Sequence, residues 1–278
     1  MILRNAHGKI NLHLRVLGRR PDGYHEIATL MRKIDLCDEM VFEPGGRGVV
    51  LHCPGTGLPE DGGNIVIRAA ALLFSTVGRS VDVKVTLRKR IPVAAGLGGG
   101  SANGAVTLLV LNELLGNPLD PGELAALGAR VGADVPFFLS GRKAAWAFGI
   151  GERLEEAETP SFPLVLVNPG YEVSTRSVYE GLKMGLTKPG IQYKIPRLDT
   201  VPRVVDNLSN DLESVTLRLH PDLSEIKEQL RASGAAGTLM SGSGPTVFGV
   251  FETEEAAIQA AGFLKKRCSG SVWRTRTV

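Results

Sequence analysis

Residues 92–105, PVAAGLGGGSANGA, combine a proline, a run of glycines and small side chains, and they lead into the apolar segment TLLVLNELLG. Glycines let backbone N–H groups approach a ligand closely, and the first turn of a helix has N–H groups with no acceptor in the helix. The helix dipole adds partial positive charge at the same place. This segment therefore predicts a phosphate-binding loop, and with it an enzyme that handles a nucleotide or a phosphate.

The common phosphate loops differ from this one. A Walker A loop requires G-x-x-x-x-G-K-[ST], but the only Gly-Lys pair, Gly8-Lys9, is followed by isoleucine. The dinucleotide pattern G-x-G-x-x-G is broken by Ser101, and the protein-kinase motifs H-R-D and D-F-G are missing. A glycine-rich segment can also be a tight structural turn. The small residues 101–105 favour the phosphate site, because they leave room for a triphosphate against the backbone.

Composition excludes several other classes. The chain has 278 residues, 43% hydrophobic and 22% charged, as in an ordinary globular protein. A net charge of +3 is too small to indicate nucleic-acid binding. The three scattered cysteines argue against a disulfide framework and a zinc site. Without a signal-peptide pattern or an apolar run near the roughly 20 residues of a membrane span, we expect a cytoplasmic enzyme.

Local patterns predict the elements that position this loop. Alternating apolar residues over 10–16 and 81–87 predict strands. Asn64 predicts the N-cap of a helix over residues 65–77, which Gly78 ends. After the glycine loop, the sequence predicts a helix from about 101 to 115, a short helix from Pro121, a loop leading into a strand over 132–141, and a hairpin over 144–158.

The second half predicts further alternation of helices and strands. We expect a strand over 163–170, a helix near 175–183, a polar connection to about 200, helices near 204–215 and 221–232, strands over 237–242 and 246–251, a helix over 254–267 and a final strand over 271–278. The mixture lacks a clean run of βαβ units. It therefore favours an α+β fold with two lobes, divided as 1–158 and 159–278.

At this point the sequence resembles a known family. P-x-x-x-G-L-G-G-G-S is similar to the phosphate motif of the GHMP kinases (galactokinase, homoserine kinase, mevalonate kinase, phosphomevalonate kinase), and LMSGSGPTVFGVF at 239–251 resembles their third motif. GKINLHLRVLGRRPDGYHE and LGARVGADVPFFLSG resemble one branch, whose acceptor is 4-diphosphocytidyl-2-C-methyl-D-erythritol. The Gly-Glu-His element that galactokinase and mevalonate kinase show after the first strand is absent. The resemblance implies a two-lobed GHMP kinase fold with a ribosomal-protein-S5-like N-terminal lobe and a ferredoxin-like C-terminal lobe.

The same resemblance implies that Lys9 and Asp134 flank the acceptor hydroxyl. Catalysis of phosphoryl transfer depends mainly on aligning the two substrates and stabilising the charge of the transition state. In this hypothesis Asp134 accepts the hydroxyl proton, and the Lys9 ammonium stabilises the charge that develops on oxygen. Without the resemblance, Lys9 would be interpreted as a solvated lysine and Asp134 as a turn or cap residue.

The remaining implied site residues fall into two groups. For ATP they are Pro92, Val93, Ala94, Ala95, Gly96, Leu97, Gly98, Gly99, Gly100, Ser101 and Ala102, with Lys89 and Asn64 as candidates near the adenosine. For the acceptor they are Asn11, Tyr24, His25, Thr175, Tyr179, Gly242, Ser243 and Gly244. Tyr179 is expected to stack on cytosine, and His25 to read the base edge. A helix cap would also account for Asn64, and a plain hairpin turn for residues 242–244.

Two positions depart from the family pattern. Gly8 stands where alanine is usual, and Ala102 stands where a second serine is usual, which leaves Ser101 as the hydroxyl of the loop. ATP is expected as its magnesium complex, and the sequence predicts no protein metal ligand. The expected partners are ATP and the small-molecule acceptor, without nucleic acid or membrane, on a monomer or weak homodimer.

The function that the resemblance implies is ATP-dependent phosphorylation of the acceptor's 2-hydroxyl in non-mevalonate isoprenoid precursor biosynthesis. One alternative is another small-molecule kinase of homoserine or mevalonate type, against which the R-P-D-G-Y-H turn and Tyr179 argue. The other is a non-catalytic nucleotide- or RNA-binding protein, because the N-terminal lobe of these kinases resembles a ribosomal-protein fold. The presence of both Lys9 and Asp134, with low net charge, argues against it.

Overall fold

A computed structural model describes residues 1–182 and 193–278. These residues form, in chain order, β1 Ile2–Arg19, β2 His25–Pro44, β3 Val49–His52, α1 Ile65–Val77, β4 Val83–Arg88, α2 Gly99–Leu114, α3 Pro121–Val131, α4 Val135–Leu139, β5 Ala144–Gly149, β6 Arg153–Glu156, β7 Pro163–Asn168, α5 Thr175–Glu180, α6 Val201–Asp206, β8 Ser209–Asn210, α7 Glu213–Leu219, α8 Asp222–Ala232, β9 Gly237–Met240, β10 Val247–Val250, α9 Glu254–Leu264 and β11 Ser271–Arg276. None of the helices in these two ranges is long and apolar enough to cross a membrane.

The chain divides into two compact units that alternate along the sequence. The first unit contains residues 1–8, 36–91 and 98–142, and the second contains 9–35, 92–97 and the described residues from 143 onward. Both β1 and β2 therefore contribute residues to each unit, as does the glycine-rich segment. The predicted division into 1–158 and 159–278 stays a prediction.

In the first unit strand segments are combined with four helices. The last residues of β2 pair antiparallel with β4, and β4 pairs parallel with β3. Helix α1 packs on α2, and α4 packs on both α2 and α3. The prediction for α1 is confirmed: Asn64 Oδ1 accepts a hydrogen bond from Val66 N at 3.0 Å, and Gly78 ends the helix with a φ of 66°.

The second unit contains two groups of strands. In one, β5 pairs with residues 27–32 of β2 and with β6, which confirms the hairpin predicted over 144–158, and β8 pairs parallel with β1 at His13 and Leu14. The other is a four-stranded antiparallel sheet in the order β11-β7-β10-β9. In chain order these are its fourth, first, third and second strands. With α8 and α9 packed on them, they form the expected ferredoxin-like arrangement.

Two sequence predictions are wrong. Residues 132–141 were expected as a loop into a strand but contain helix α4, because Pro136 lies in the first turn, where a missing N–H costs nothing. The helix expected over 204–215 is interrupted, since β8 pairs there with β1 and α7 begins only at Glu213. Helix α5 ends at Glu180. Residue 183 of its predicted range, and much of the predicted polar connection, lie outside the described residues.

Candidate active site

The ammonium group of Lys9 is the charged centre of a cluster in the second unit. Lys9 lies within β1 and is only 4% exposed. Its Nζ donates to Asn11 Oδ1 at 2.6 Å and to the carbonyl of Gly96 at 3.2 Å, and its backbone N donates to Leu97 O at 2.9 Å. A buried charge requires such polar partners. Strand and glycine loop are thus joined at this lysine.

The glycine loop is also joined to the turn after β9. Ser241 Oγ donates to Gly96 O at 2.9 Å, and Asn11 N donates to Ser241 Oγ at 3.4 Å. Gly96 has a φ of +76°, and a Cβ there would lie 2.1 Å from Ser241 O, so only glycine fits. Residues from three of the four segments that carry the family resemblance, namely Lys9, Gly96 and Ser241, therefore meet within the second unit. Ser241 lies in the third motif but was not among the predicted site residues.

Asn11 is oriented by its own hydrogen bonds. Its Nδ2 donates to Thr29 Oγ1 at 2.8 Å, and that hydroxyl donates onward to His13 O at 2.7 Å. Because the threonine proton is used on a carbonyl, its oxygen must accept from the amide. The amide oxygen of Asn11 is therefore the atom that faces Lys9.

The turn formed by residues 241–244 has two further supports. Asn210 Nδ2 donates to Met240 O at 2.8 Å and to Gly242 O at 2.7 Å, while its Oδ1 accepts from Leu212 N at 3.0 Å. The hydroxyl of Ser243 lies 2.8 Å from that of Thr175. The structure thus brings together the predicted Thr175 and Ser243. It adds Asn210, which sequence reasoning missed because this residue lies about 30 positions before the turn.

Two of the predicted aromatic contacts lie against each other. The rings of His25 and Tyr179 are stacked, with centroids 4.9 Å apart and an interplanar angle of 29°. Partial burial lowers the pKa of His25, and nearby Arg19 adds to this effect, so the neutral ring is favoured. Tyr24, in the preceding turn, is 61% exposed. The structure therefore joins His25 with Tyr179, whereas Tyr24 lies on the surface.

The backbone of the glycine loop has the form of an anion site. Ala94, Gly96 and Gly98 have positive φ values of 50°, 76° and 68°. Alternation of this kind turns successive N–H groups toward one side. Gly98 is the N-cap of the 16-residue helix α2 and brings no side-chain cap. The first N–H groups of this helix have no acceptor within it, as a bound phosphate requires.

The first unit supplies the two candidates near the adenosine. Lys89 forms an ion pair with Asp38, and its Nζ donates to Asn103 Oδ1 at 3.3 Å. Asn64, besides capping α1, donates to Pro59 O at 2.8 Å. The cap interpretation of Asn64 is thus confirmed, and contact of either residue with a nucleotide stays a prediction. Sequence reasoning missed Asp38 and Asn103, which lie 51 and 14 residues from Lys89.

Asp134, also in the first unit, is half-buried at the N-cap position of α4. Its side chain makes no cap hydrogen bond to that helix, whereas the residue does lie in a turn, so of the two alternative interpretations the turn stays open. In the first turns of α2, Ser101 is half-buried and Ala102 is 1% exposed. Within the described part of the chain, no group of three or more histidine, cysteine or acidic side chains could hold a metal ion.

Comparison with known proteins identifies related kinases. The model of the GHMP kinases N terminal domain matches residues 64–142, and that of the GHMP kinases C terminal domain matches residues 197–270. A 4-diphosphocytidyl-2-C-methyl-D-erythritol kinase of Syntrophus aciditrophicus is 54% identical over 97% of both chains. An enzyme of the same name from Geobacter sulfurreducens is 47% identical over 94% of both.

The chain belongs to the 4-diphosphocytidyl-2-C-methyl-D-erythritol kinase family of GHMP kinases.

Solved structures separate this family from its neighbours. A crystal structure of 4-(cytidine 5'-diphospho)-2C-methyl-D-erythritol kinase matches all of both chains with a TM-score of 0.82 and 38% identity. A homoserine kinase from Cytophaga hutchinsonii covers 97% of this chain and 94% of its own, with a TM-score of 0.66 and 17% identity. The homoserine kinase shares the fold, whereas members of the 4-diphosphocytidyl-2-C-methyl-D-erythritol kinase family also share much of the sequence. The expected GHMP kinase fold is confirmed.

Proposed function

We propose that this chain transfers the γ-phosphoryl group of ATP to the 2-hydroxyl of 4-diphosphocytidyl-2-C-methyl-D-erythritol, in non-mevalonate isoprenoid precursor biosynthesis. The observation that carries the proposal is the cluster in which the Lys9 ammonium contacts both Asn11 and the Gly96 carbonyl of the glycine loop. It joins the strand bearing the acceptor motif to the loop bearing the nucleotide motif. The named relatives, 43–54% identical over nearly their whole length, support the choice of acceptor.

The reaction follows from the proposed residue roles. The acceptor's 2-hydroxyl oxygen forms a bond to the γ-phosphorus as the bond to the bridging oxygen of ADP breaks. Asp134 accepts the hydroxyl proton, and Lys9 stabilises negative charge on the attacking oxygen. N–H groups of residues 92–102 bind the phosphates, which stabilises the charge that moves toward ADP.

ATP enters as its magnesium complex, so the metal arrives with the substrate. Magnesium bound in this way takes oxygen ligands chiefly from the phosphates and water. A cytoplasmic location, and a monomer or weak homodimer that binds no nucleic acid, stay predictions.

The acceptor is tested by measuring ADP release with 4-diphosphocytidyl-2-C-methyl-D-erythritol, homoserine and mevalonate in parallel. We expect turnover with the first alone. Faster turnover with either of the others would contradict the choice of acceptor, and RNA binding without ADP release would contradict a kinase altogether. Formation of the 2-phosphate, rather than another regioisomer, is checked by phosphorus NMR of the product.

The role of Asp134 as the general base is tested by Asp134→Asn. A general base contributes roughly 10²–10⁴-fold. We expect Asp134→Asn to lower kcat by about that factor while the affinity for an ATP analogue stays nearly unchanged. The matched control is Asp120→Asn in the same unit, because Asp120 caps α3 and asparagine caps equally well. Near-normal turnover of Asp134→Asn would refute its role as the base.

A further inference from the structure

A buried polar cluster in the first unit connects the predicted ATP-site residue Lys89 with two residues that were not predicted as site residues. It consists of Asp38 on β2, Lys89 just after β4 and Asn103 in α2, and it is named here the Asp38 cluster. Asp38 is 0% exposed and Asn103 is 2% exposed. Asp38 Oδ2 pairs with the Lys89 ammonium and accepts from Asn103 Nδ2 at 3.0 Å. Lys89 also donates to the amide oxygen of Asn103, so the three side chains satisfy one another.

The other oxygen of Asp38 binds the backbone that enters the glycine loop. Its Oδ1 accepts from Arg90 N at 2.8 Å and from Ile91 N at 2.9 Å. The loop begins at the next residue, Pro92. Asn103 lies in helix α2, into which the loop leads. The Asp38 carboxylate therefore accepts hydrogen bonds from residues before the loop and from a residue after it.

The Lys89 ammonium lies close to the backbone at the start of α2. A Cβ at Gly99, the first residue of this helix, would stand 3.2 Å from Lys89 Nζ and 2.8 Å from a methyl carbon of Ile91. Residues 89 and 91 therefore pack directly beneath the helix start. Any shift of the segment that Asp38 binds would move this contact.

Stability alone does not account for such a cluster. A buried ion pair contributes little over apolar side chains of similar volume, because the desolvation of both charges offsets their attraction. Fully hydrogen-bonded polar groups do define one arrangement of the backbone around them, since alternatives leave a donor or acceptor unpaired.

We propose that Asp38 is a positioning residue for ATP. By binding the N–H groups of Arg90 and Ile91, and by holding Lys89 against Asn103, it fixes the glycine loop in the shape that receives the triphosphate. Lys89 then acts on the nucleotide through the loop. This inference rests on the proposed function, because it assumes that the loop binds ATP.

The test is Asp38→Asn, which keeps the volume but replaces one acceptor oxygen by an NH₂ group. Either the two backbone N–H groups or the Lys89 and Asn103 donors then lose their acceptor. We expect the KM for ATP to rise about tenfold or more, with kcat and the KM for the acceptor within about twofold, as for a lost charge-assisted hydrogen bond. Calorimetric titration with a non-hydrolysable ATP analogue should show the same loss of affinity.

Asn103→Ala is the second variant and Asn112→Ala is the matched control. Asn103→Ala breaks the connection to α2 but leaves the ion pair, and we expect a smaller rise in the KM for ATP. Asn112 is a buried asparagine near the C-terminal end of the same helix. Its side-chain amide forms two hydrogen bonds with the backbone of Leu119. Its removal should lower the midpoint of unfolding without changing the KM for ATP.

Three results would overturn the proposal: an unchanged KM for ATP in folded Asp38→Asn, an equal rise in both KM values, or an Asn112→Ala variant with the same rise. If Asp38→Asn does not fold, an unchanged KM for ATP in Asn103→Ala overturns it instead. Failure of the proposed function would appear differently, as wild-type protein that does not turn over the acceptor. The analogue titration would then still report on the loop.

Discussion

Ser241 donates its hydroxyl to the carbonyl oxygen of Gly96 at 2.9 Å, while its own carbonyl oxygen occupies the space where a Cβ at position 96 would stand. The two residues are 145 positions apart in the chain. This close approach fixes the middle of the glycine loop against the turn that follows β9. Backbone contact at this distance is possible only because residue 96 has no side chain.

Gly96→Ala should therefore damage the loop more than a typical substitution by alanine. The positive φ alone costs about 1–2 kcal/mol for a residue with a Cβ, and the overlap with Ser241 O forces one of the two segments to move. We expect kcat/KM for ATP to fall by about 100-fold or more in enzyme assays. Gly262→Ala in α9 is the control. Apart from its two chain neighbours and the nearby backbone of its own helix, no atom lies within 4 Å of the new methyl group. Equal activities of the two variants would contradict the prediction.

Asn210 should matter through its two donated hydrogen bonds. Asn210→Asp keeps the size and the oxygen that accepts from Leu212 N, but it places a carboxylate oxygen against the carbonyls of Met240 and Gly242. A buried carbonyl that loses its donor costs roughly 1–3 kcal/mol. We expect a raised KM for the acceptor and a lower free energy of unfolding, measured by urea titration. A wild-type KM for the acceptor in folded Asn210→Asp would show that these bonds do not shape the turn.

The sequence was sufficient where the determining contacts are local. Helix α1 could be predicted because Asn64 and Gly78 act on the turn next to them. The glycine loop could be identified from its own contiguous residues, whereas Lys9 was identified only through the family resemblance, because its contact with Gly96 joins residues 87 positions apart. Helix α4 was missed because a proline in a short apolar segment has two interpretations, and the pairing of β8 with β1 depends on residues almost 200 positions apart. Asp38 and Asn210 were not predicted for the same reason. Their hydrogen-bond partners are distant in the sequence and become neighbours only in the folded chain.

Tyr179 should contribute to acceptor binding through its ring rather than its hydroxyl. Base–aromatic stacking is worth roughly 1–3 kcal/mol, or about 5- to 150-fold in affinity. We expect Tyr179→Ala to raise the KM for the acceptor within that range, with the KM for ATP unchanged, and Tyr179→Phe to stay within about threefold of wild type. Tyr171→Ala is the matched control, because Tyr171 stacks on His220 at 4.8 Å in the same unit. A Tyr179→Phe variant as impaired as Tyr179→Ala would indicate that the hydroxyl, not the ring, is used.

His13 should make the protein less stable in acid. Its Nδ1 lies 2.8 Å from Asn207 O, so this nitrogen carries the proton, and Nε2 accepts from the hydroxyl of Tyr193. Burial lowers the pKa of His13, and Arg15 adds to this, while the Asn207 carbonyl and Asp211 oppose it. The folded state therefore binds fewer protons than the unfolded state below the unfolded pKa of about 6.5.

Since the unfolded state takes up the additional proton, the free energy of unfolding should fall as pH decreases from about 6.5 toward the lower folded pKa, by at most about 1.4 kcal/mol per pH unit. Urea titrations at pH 8 and pH 5 measure this loss in the wild type and in His13→Gln. We expect the variant to be less stable at pH 8, where the neutral ring makes both hydrogen bonds, and to lose less stability on acidification. If the wild type and His13→Gln lost the same free energy of unfolding on acidification, groups other than His13 would be responsible for the acid sensitivity.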